Sequence, residues 1–447
     1  MSLADADLAR LLIAVGLLMI GAHALGHVFG RMRQPPVIGE ILAGLILGPT
    51  LLGQLAPGVE RWIFPTDGAS ATVLGAVYQL GLLLLMFCAG AQMRGLVERR
   101  SLRSVGAIAG IGMLIPFAAG MAAVKLIDTG PYEGPNAIGA SFVLVFSLAI
   151  AVTSIPVISR IMFDLGLLET RFARVVLSVA VIEDIVVYIV LAVALGIAGG
   201  KEGSAFGLAG TLGFQPGSAA NSAYYAVATL TFLGASLAFA PYLYRRLLLT
   251  RFNVVKLRSP IGFQLIFMMA MAGGALALSI VPLFGAFVAG IVASTARGQH
   301  AVSARASITN FSMAFFVPVY FAIVGLKLDL VHHFAPLFFL GFLAFGCAVK
   351  AGSVYLGARV GGESPLSARN LAIAMNARGG PGIVLASVAF DAGVVNETMY
   401  AVLVMLAIVT SLIAGAWLDR IAPTLREATK LDDDEIAAAP AVDAGFA

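Results

Sequence analysis

Asn376 to Ser387 runs NARGGPGIVLAS, three glycines and a proline behind an arginine, inside an apolar stretch that extends from about residue 367 to 391. Glycines lower helix propensity, and proline lacks a backbone donor and clashes with the preceding turn, so the spacing predicts an unwound point inside a helix. A second interrupted run lies far upstream: AVTSIPVISR, Ala151 to Arg160, with Pro156 in the middle of an apolar segment. The surroundings of both are those of a membrane protein. Hydrophobic residues make up 60% of the 447 and charged residues only 12%, against about 25% charged in a soluble domain. The apolar matter comes in solid runs of about 20 residues, the length of a helix crossing a ~30 Å hydrocarbon core, and not in the alternating segments of a membrane barrel. The fold class is therefore an all-α polytopic bundle.

Hydropathy and Gly/Pro/charge punctuation give thirteen spans, near 8–30, 35–52, 70–93, 104–127, 137–160, 173–198, 221–244, 261–281, 283–296, 307–326, 334–358, 367–391 and 397–419. The 28 Lys and Arg test this count. Most fall in loops on one side, as in Arg94, Arg99, Arg100 and Arg103, while the other side holds only Arg10, Arg61, Lys125, Lys201 and Lys327. The positive-inside rule then places the N-terminus outside and the C-terminus in the cytoplasm, in the inner (plasma) membrane. It also accounts for the net charge of +4 without an anionic partner. The start of the chain lacks a basic region and a small-residue cleavage site, so the first span is expected to stay as a helix. Cys88 and Cys347 lie within spans and read as small core residues, with no disulfide or cysteine metal site.

Thirteen spans divide into two six-helix units, 1–6 and 8–13, joined by span 7. An offset of seven crossings reverses direction, so the units would be inverted repeats, and broken helices in matching places of such repeats point to a transport site. Spans 5 and 12 match in this way, with breaks at Pro156 and at Gly379, Gly380 and Pro381. A packed proline kink explains either break alone. The matched pair predicts two unwound segments crossing each other, because irregular backbone at membrane depth survives only where protein or water surrounds it.

Four charges inside spans stand out: Glu183 and Asp184 in VIEDIV (Val181 to Val186), Lys350 and Arg378. Each costs about 2.5–3.5 kcal/mol at the centre of a spanning helix and defaults to a functional role with a partner. Adjacent carboxylates point about 100° apart on a helix, so one can pair with Lys350 while the other faces a cavity. A carboxylate there can hold a proton or a monovalent cation, each adding one positive charge, and the empty charged site is held back by the cost of desolvation. That competition is the physical logic of exchange.

The chain resembles the monovalent cation:proton antiporter superfamily, in its second, Kef-type branch. The resemblance rests on RQPPVIGEILAGLILGPTLLG (Arg33 to Gly53), LGLLLLMFCAG (Leu80 to Gly90), SIPVISRIMFDLGLLET (Ser154 to Thr170), FGAFVAGIVAS (Phe284 to Ser294), VPVYFAIVGLKLDL (Val317 to Leu330) and NARGGPGIVLA, in family order. It implies a sodium/proton or potassium/proton antiporter with crossed discontinuous helices, working by alternating access as a homodimer. A core bundle of spans 4–6 and 11–13 would move against an interface bundle of spans 1–3 and 8–10, with span 7 as linker. Asp184 would be the carboxylate for which cation and proton compete, Glu183 its neighbour, Thr153 and Ser154 the lining of the break, and Lys350 and Arg378 the charge-compensating residues. No cofactor, enzymatic centre or nucleic-acid partner is implied; the partners are the cation, protons and the bilayer.

Three departures from the family pattern carry information. Relatives place Asp-Asp, Asn-Asp or Gln-Asp where this chain has Glu183-Asp184, and Ala91-Gln92-Met93 follow FCAG where an acidic residue is usual. A titratable Glu183 leans toward two protons per cation. Many Kef-type relatives carry a soluble nucleotide-binding regulatory domain after the last span; residues 421–447, after a membrane domain of 1–420, read instead as an acidic disordered tail.

Other features are weaker. His23 and His27, four apart on span 1, have no third ligand on that face and read as packing or pH-sensing groups. Glu40 suits capping or packing as well as an ion funnel, and His332 and His333 read as solvated. With 50 glycines, spacings of the GxxxG kind carry no signal. The chain lacks H-E-x-x-H and G-x-S-x-G, so a hydrolase has no constellation to use, and a small charged site does not suit an organic ion. The alternative is a cation channel, or potassium efflux without obligatory proton exchange.

Overall fold

The computed structural model describes residues 3–93, 102–154, 158–159, 161–162, 165–168, 170–198, 207–213, 218–250, 253–296 and 298–438. The helices are α1 (Asp5–Arg31), α2 (Pro36–Leu47), α3 (Ala69–Gln92), α4 (Leu102–Ala123), α5 (Gly139–Ala151), α6 (Arg171–Ala198), α7 (Ala219–Leu249), α8 (Pro260–Ala277), α9 (Pro282–Ser294), α10 (Gln299–Leu326), α11 (Pro336–Val360), α12a (Pro365–Ala374), α12b (Gly379–Asp391) and α13 (Glu397–Ala438). No strand occurs among the described residues. Among the described residues eleven spans are long and apolar enough to cross a membrane, α12a and α12b counting as one, and α5 and α9 are shorter apolar helices. Each of the thirteen sequence segments thus holds helix among its described residues, as lipid requires of backbone that must satisfy its own hydrogen bonds. Proline opens α2, α8, α9, α11 and α12a, where its missing donor costs nothing.

The packing repeats. α1 lies on α2 as α8 lies on α9, α4 on α5 as α11 on α12a, and α5 on α6 as α12b on α13. Across the halves, α2 crosses α10 as α9 crosses α3, and α4 packs against α11. Each pair maps onto its counterpart by the offset of seven, the signature of two structural repeats. Two of these crossings depend on glycine. A Cβ on Gly44 would collide with Ala322 O, and one on Gly325 with Ile41 O; at the other crossing Gly90 faces Phe287 O and Gly290 faces Phe87 O. Backbones this close pack through dispersion, which drives helix association where lipid removes the hydrophobic difference. These four glycines sit at equivalent places in the two repeats.

Helices α1, α2, α3, α8, α9 and α10 pack among themselves, as do α4, α5, α6, α11, α12 and α13; α6 touches α9 between the groups, and α7 leans on α6 and α9. One expectation changes. α13 runs on as helix to Ala438, through residues expected to begin a disordered tail at 421. That segment, TLREATKLDDDEIAA, is rich in Ala, Leu, Glu and Lys, residues of high helix propensity.

Candidate functional site

The helix α5 stops at Ala151 and leaves its last carbonyls without intrahelical donors. Each finds one. Leu148 O accepts from the Val152 N–H at 2.9 Å. Ala149 O accepts from Arg378 Nε at 3.0 Å and Ile150 O from Arg378 Nη2 at 3.1 Å. Ala151 O accepts from Lys350 Nζ at 2.6 Å. Two cations therefore cap the negative end of a broken helix, where a positive charge is favoured by the helix dipole.

The break in span 12 is met from the opposite side. α12a ends at Ala374, and α12b starts at Gly379 with donors that need acceptors. The N–H groups of Arg378, Gly379 and Gly380 donate to Thr410 Oγ1 (3.3 Å), Ser411 Oγ (3.1 Å) and Ser154 Oγ (3.1 Å). Pro381 has no N–H to place, and Gly382 N returns to Arg378 O at 2.8 Å. The two breaks also bond directly: Ser154 N donates to Ala377 O and Thr153 Oγ1 to Met375 O, both at 2.8 Å. Pro156 lies outside the described residues.

The carboxylates of α6 then divide. Lys350 Nζ lies 2.9 and 3.0 Å from Glu183 Oε1 and Oε2, and also donates to Gly112 O at 3.0 Å. An ammonium has three protons, so the two carboxylate oxygens share one, and Glu183 and Lys350 are both fully buried. Arg378 takes no carboxylate among the described residues. Its remaining donors go to Gly346 O (2.9 Å) and Asn376 O (3.1 Å), so its charge compensates helix ends and loop carbonyls. Asp184 is the remainder: it is 1% exposed, and its Oδ1 has no hydrogen-bond partner. The sequence predicts that the second carboxylate faces a cavity, whereas Asp184 is enclosed. Tyr188, one turn further along α6, packs its ring against Phe287 of α9, tilted by 55° with the ring centres 4.7 Å apart, and helps to seal that side.

Several contributors escape sequence reading. Thr410 and Ser411 cap α12b while returning their own protons to Leu406 O and Ala407 O at 2.7 Å. Asn376 closes α12a through Nδ2 to Ala372 O at 2.9 Å. A pair of hydroxyls in the middle of the apolar run AIVTSLIAG (Ala407 to Gly415) was a legible signal for the first two. Glu40, on the neighbouring helix, lines a cleft of about 470 Å³ together with His23 and His27. Among the described residues no group of three His, Cys, Asp or Glu is arranged to hold a metal ion.

Polar side chains also tie the two helix groups together at both ends. At one end Asp391 of α12b accepts from Tyr78 Oη of α3 (2.7 Å) and from Lys327 Nζ after α10 (2.6 Å), and Lys327 lies 4.0 Å from the Tyr78 ring centre. Tyr78 stacks on the buried Tyr320 at 5.1 Å. At the other end Arg33, in the α1–α2 turn, pairs with Asp419 of α13 at 2.8 Å.

Comparison with known proteins agrees with this geometry. The family model described as "Sodium/hydrogen exchanger, transmembrane" matches residues 14–423. The chain is 29% identical over 422 residues to the K(+)/H(+) antiporter 1 of Saccharomyces cerevisiae, covering 92% of this chain and 46% of that protein. It is 27% identical over 422 residues to the Na(+)/H(+) antiporter NhaS4 of Synechocystis sp., covering 93% and 97%. It thus spans about half the length of the first and nearly all of the second. The structure of the sodium proton antiporter MjNhaP1 from Methanocaldococcus jannaschii superposes with a TM-score of 0.65 at 15% identity, over 94% of this chain and 99% of that one, a likeness of fold.

Proposed function

The chain belongs to the sodium/hydrogen exchanger family, and from that premise we propose that it exchanges a monovalent cation, Na⁺ or K⁺, for protons by alternating access, with Asp184 as the group for which the two compete. The observation that carries this reading is the inequality of the four charges at the crossed breaks. Lys350, Glu183 and Arg378 are held by fixed partners, and Asp184 Oδ1 has none. A buried carboxylate with an unpartnered oxygen is costly, and a proton or a cation relieves the same cost by adding the same charge. Thr153 and Ser154 bring further oxygens to the break, though each hydroxyl also staples one half-helix to the other.

The moving parts follow from the packing. α4, α5, α6, α11, α12 and α13 form the core bundle that carries the site, the other six membrane helices form the interface bundle, and α7 links them. Translation of one group against the other must break the Lys327–Asp391–Tyr78 contact at one end and Arg33–Asp419 at the other. Both involve one residue or segment from each bundle, so they are the contacts that distinguish the two access states. With Asp184 neutralised the bundle can slide past the apolar surface of α9; with Asp184 charged and empty it cannot. The protein works as a homodimer in the plasma membrane, N-terminus outside and C-terminus cytoplasmic, the side its basic loops mark.

The Glu183–Lys350 geometry favours one proton per cation over the two toward which the sequence leans. Both Glu183 oxygens share the ammonium of a fully buried lysine, so Glu183 keeps its charge through the cycle. Exchange is then electroneutral, whereas each net charge moved would couple to voltage at about 2.3 kcal/mol per 100 mV. The test is proton flux in proteoliposomes on adding Na⁺, K⁺ or Li⁺, with and without a valinomycin clamp. Asp184→Asn is expected to abolish cation-driven proton movement while the protein still folds. Wild-type rates in that variant end the site assignment, cation flux without protons replaces antiport with a channel, and clamp-sensitive flux returns the stoichiometry to two.

A further inference from the structure

We propose that Tyr320 of α10 is a transport residue: its hydroxyl lines the route by which the cation passes between Asp184 and the Lys327 end of the molecule. This deepens the antiport reading and rests on it. The direction of the route comes from the helices. Arg171, at the start of α6, pairs at 2.9 Å with Glu363, just after α11. That end of α11 lies opposite Lys327, so α6 runs toward the Lys327 end, and Tyr188 stands one turn beyond Asp184 in that direction. α12b runs the same way and finishes at Asp391, which holds Lys327 Nζ.

Between Asp184 and that end, four buried hydroxyls occupy the seam of the two helix groups: Tyr78 of α3, Tyr320 of α10, Ser387 of α12b and Tyr400 of α13. Three of them are used. Tyr78 Oη donates to Asp391 and Tyr400 Oη to Val324 O, both at 2.7 Å, and Ser387 Oγ donates to Ile383 O at 2.9 Å. Tyr320 differs: it is 0% exposed, and its Oη has no hydrogen-bond partner among the described residues. Buried hydroxyls are nearly always paired, and one left alone costs stability. Packing therefore gives no reason for a tyrosine where phenylalanine would fill the same space.

The position of the orphan gives one. Tyr320 stacks on Tyr78 at 5.1 Å and lies within electrostatic reach of Asp391. Tyr188 lies within the same reach of both Tyr320 and Asp184, whose Oδ1 is the second orphan of this seam. Oxygens therefore succeed one another from Asp184 to the Lys327 end. A phenol oxygen has lone pairs to offer, and oxygens of this kind replace the water that a cation sheds in a narrow passage. The phenol keeps its own proton throughout. In this conformation the route is shut, because Tyr78 lies over Tyr320 and is pinned between Asp391 and the Lys327 ammonium. A movement that breaks the Lys327–Asp391–Tyr78 contact uncovers Tyr320 as well.

The test separates passage from binding and from folding. The full chain and Tyr320→Phe are compared by cation-driven proton flux in proteoliposomes, by thermal unfolding in detergent, and by the Na⁺ or K⁺ concentration that half-saturates thermal stabilisation. Flux in the variant is expected to be about tenfold slower, ~1.4 kcal/mol or the worth of one hydrogen bond. Half-saturation should be unchanged and the melting temperature at or above that of wild type, since no formed bond is lost. Tyr400→Phe, which removes a formed bond, is expected to melt lower and calibrates the measurement. Wild-type flux in Tyr320→Phe overturns the inference. A lower melting temperature, a failure to fold or a shifted half-saturation overturns it too, because each makes the hydroxyl structural or part of the site at Asp184. The antiport reading fails by a different result, wild type without cation-driven flux or flux that survives Asp184→Asn, and takes the inference with it.

Discussion

Removing both partners of the Glu183–Lys350 pair is expected to destabilise the protein by less than the sum of removing each alone. Glu183→Gln leaves Lys350 charged, with Gly112 O, Ala151 O and an amide oxygen as acceptors but no counter-charge in a fully buried position. Breaking a buried pair in this way costs about 3–5 kcal/mol. Lys350→Gln leaves Glu183 unpaired and withdraws donors from two carbonyls, one of them the last of α5, each worth about 1–3 kcal/mol when orphaned. Its loss is therefore at least as large. The double variant places two neutral amides side by side; one replaces the ammonium at a carbonyl, and no charge is left behind. Its loss should fall short of the summed single losses by about 2–3 kcal/mol, the upper range for groups in direct contact. The assay is unfolding in mixed micelles, titrating denaturing detergent and reading the free energy for wild type, both single variants and the double. Additive losses refute the reasoning, because they mean that Lys350 is held by the Gly112 and Ala151 carbonyls alone and Glu183 is free to titrate.

Gly325→Ala should cost about 3 kcal/mol or more, since its Cβ meets Ile41 O with backbone on both sides and nothing flexible to yield, while Gly341→Ala, with open space around it, should stay within about 0.5 kcal/mol; equal stabilities would remove the close crossing of α2 and α10. Lys327→Ala should raise labelling of a cysteine at Ser387, in a background lacking Cys88 and Cys347, by a membrane-impermeant maleimide applied on the Lys327 side; unchanged labelling would show that the Asp391 contact does not close that side. In the loop after α10, partial burial pushes the Asp329 carboxyl up, but hydrogen bonds from the His332 ring and from the N–H groups of His332 and Val331 outweigh it and hold the carboxyl below its ordinary value. A depressed carboxyl stabilises the fold above its unfolded pKa of about 3.9 and loses that contribution as pH falls through the folded value. Asp329→Ala should then cost about 1 kcal/mol or less at neutral pH, the scale of an exposed pair, with the difference from wild type shrinking in acid; a difference that grows in acid reverses the assignment.

Composition alone determined that this chain is a membrane bundle, because hydrocarbon leaves the backbone no partner but itself and makes a run of about 20 apolar residues a helix wherever it occurs. The thirteen segments, an interruption in each of spans 5 and 12, and the four intramembrane charges were legible for the same reason: each is a local violation of a strict local rule. The place of the second break was not: the sequence put it at Gly379, Gly380 and Pro381, which form the first turn of α12b, and the unwound residues are Met375 to Arg378 just before them. Distance in space was not legible. Two adjacent carboxylates 100° apart say that one can meet Lys350, but the rotation of α6 that turns Glu183 toward it is set by packing against α4 and α5. Arg378 has the same charge as Lys350 in sequence, yet its fork meets carbonyls of α5 and of its own loop, a choice made by which backbone ends within about 3 Å. Among 50 glycines, Gly44, Gly90, Gly290 and Gly325 stand apart only once the crossings exist. Tertiary structure decided these matters because a hydrogen bond and a van der Waals contact depend on separation, and residues 167 or 229 positions apart have no separation until the chain has folded.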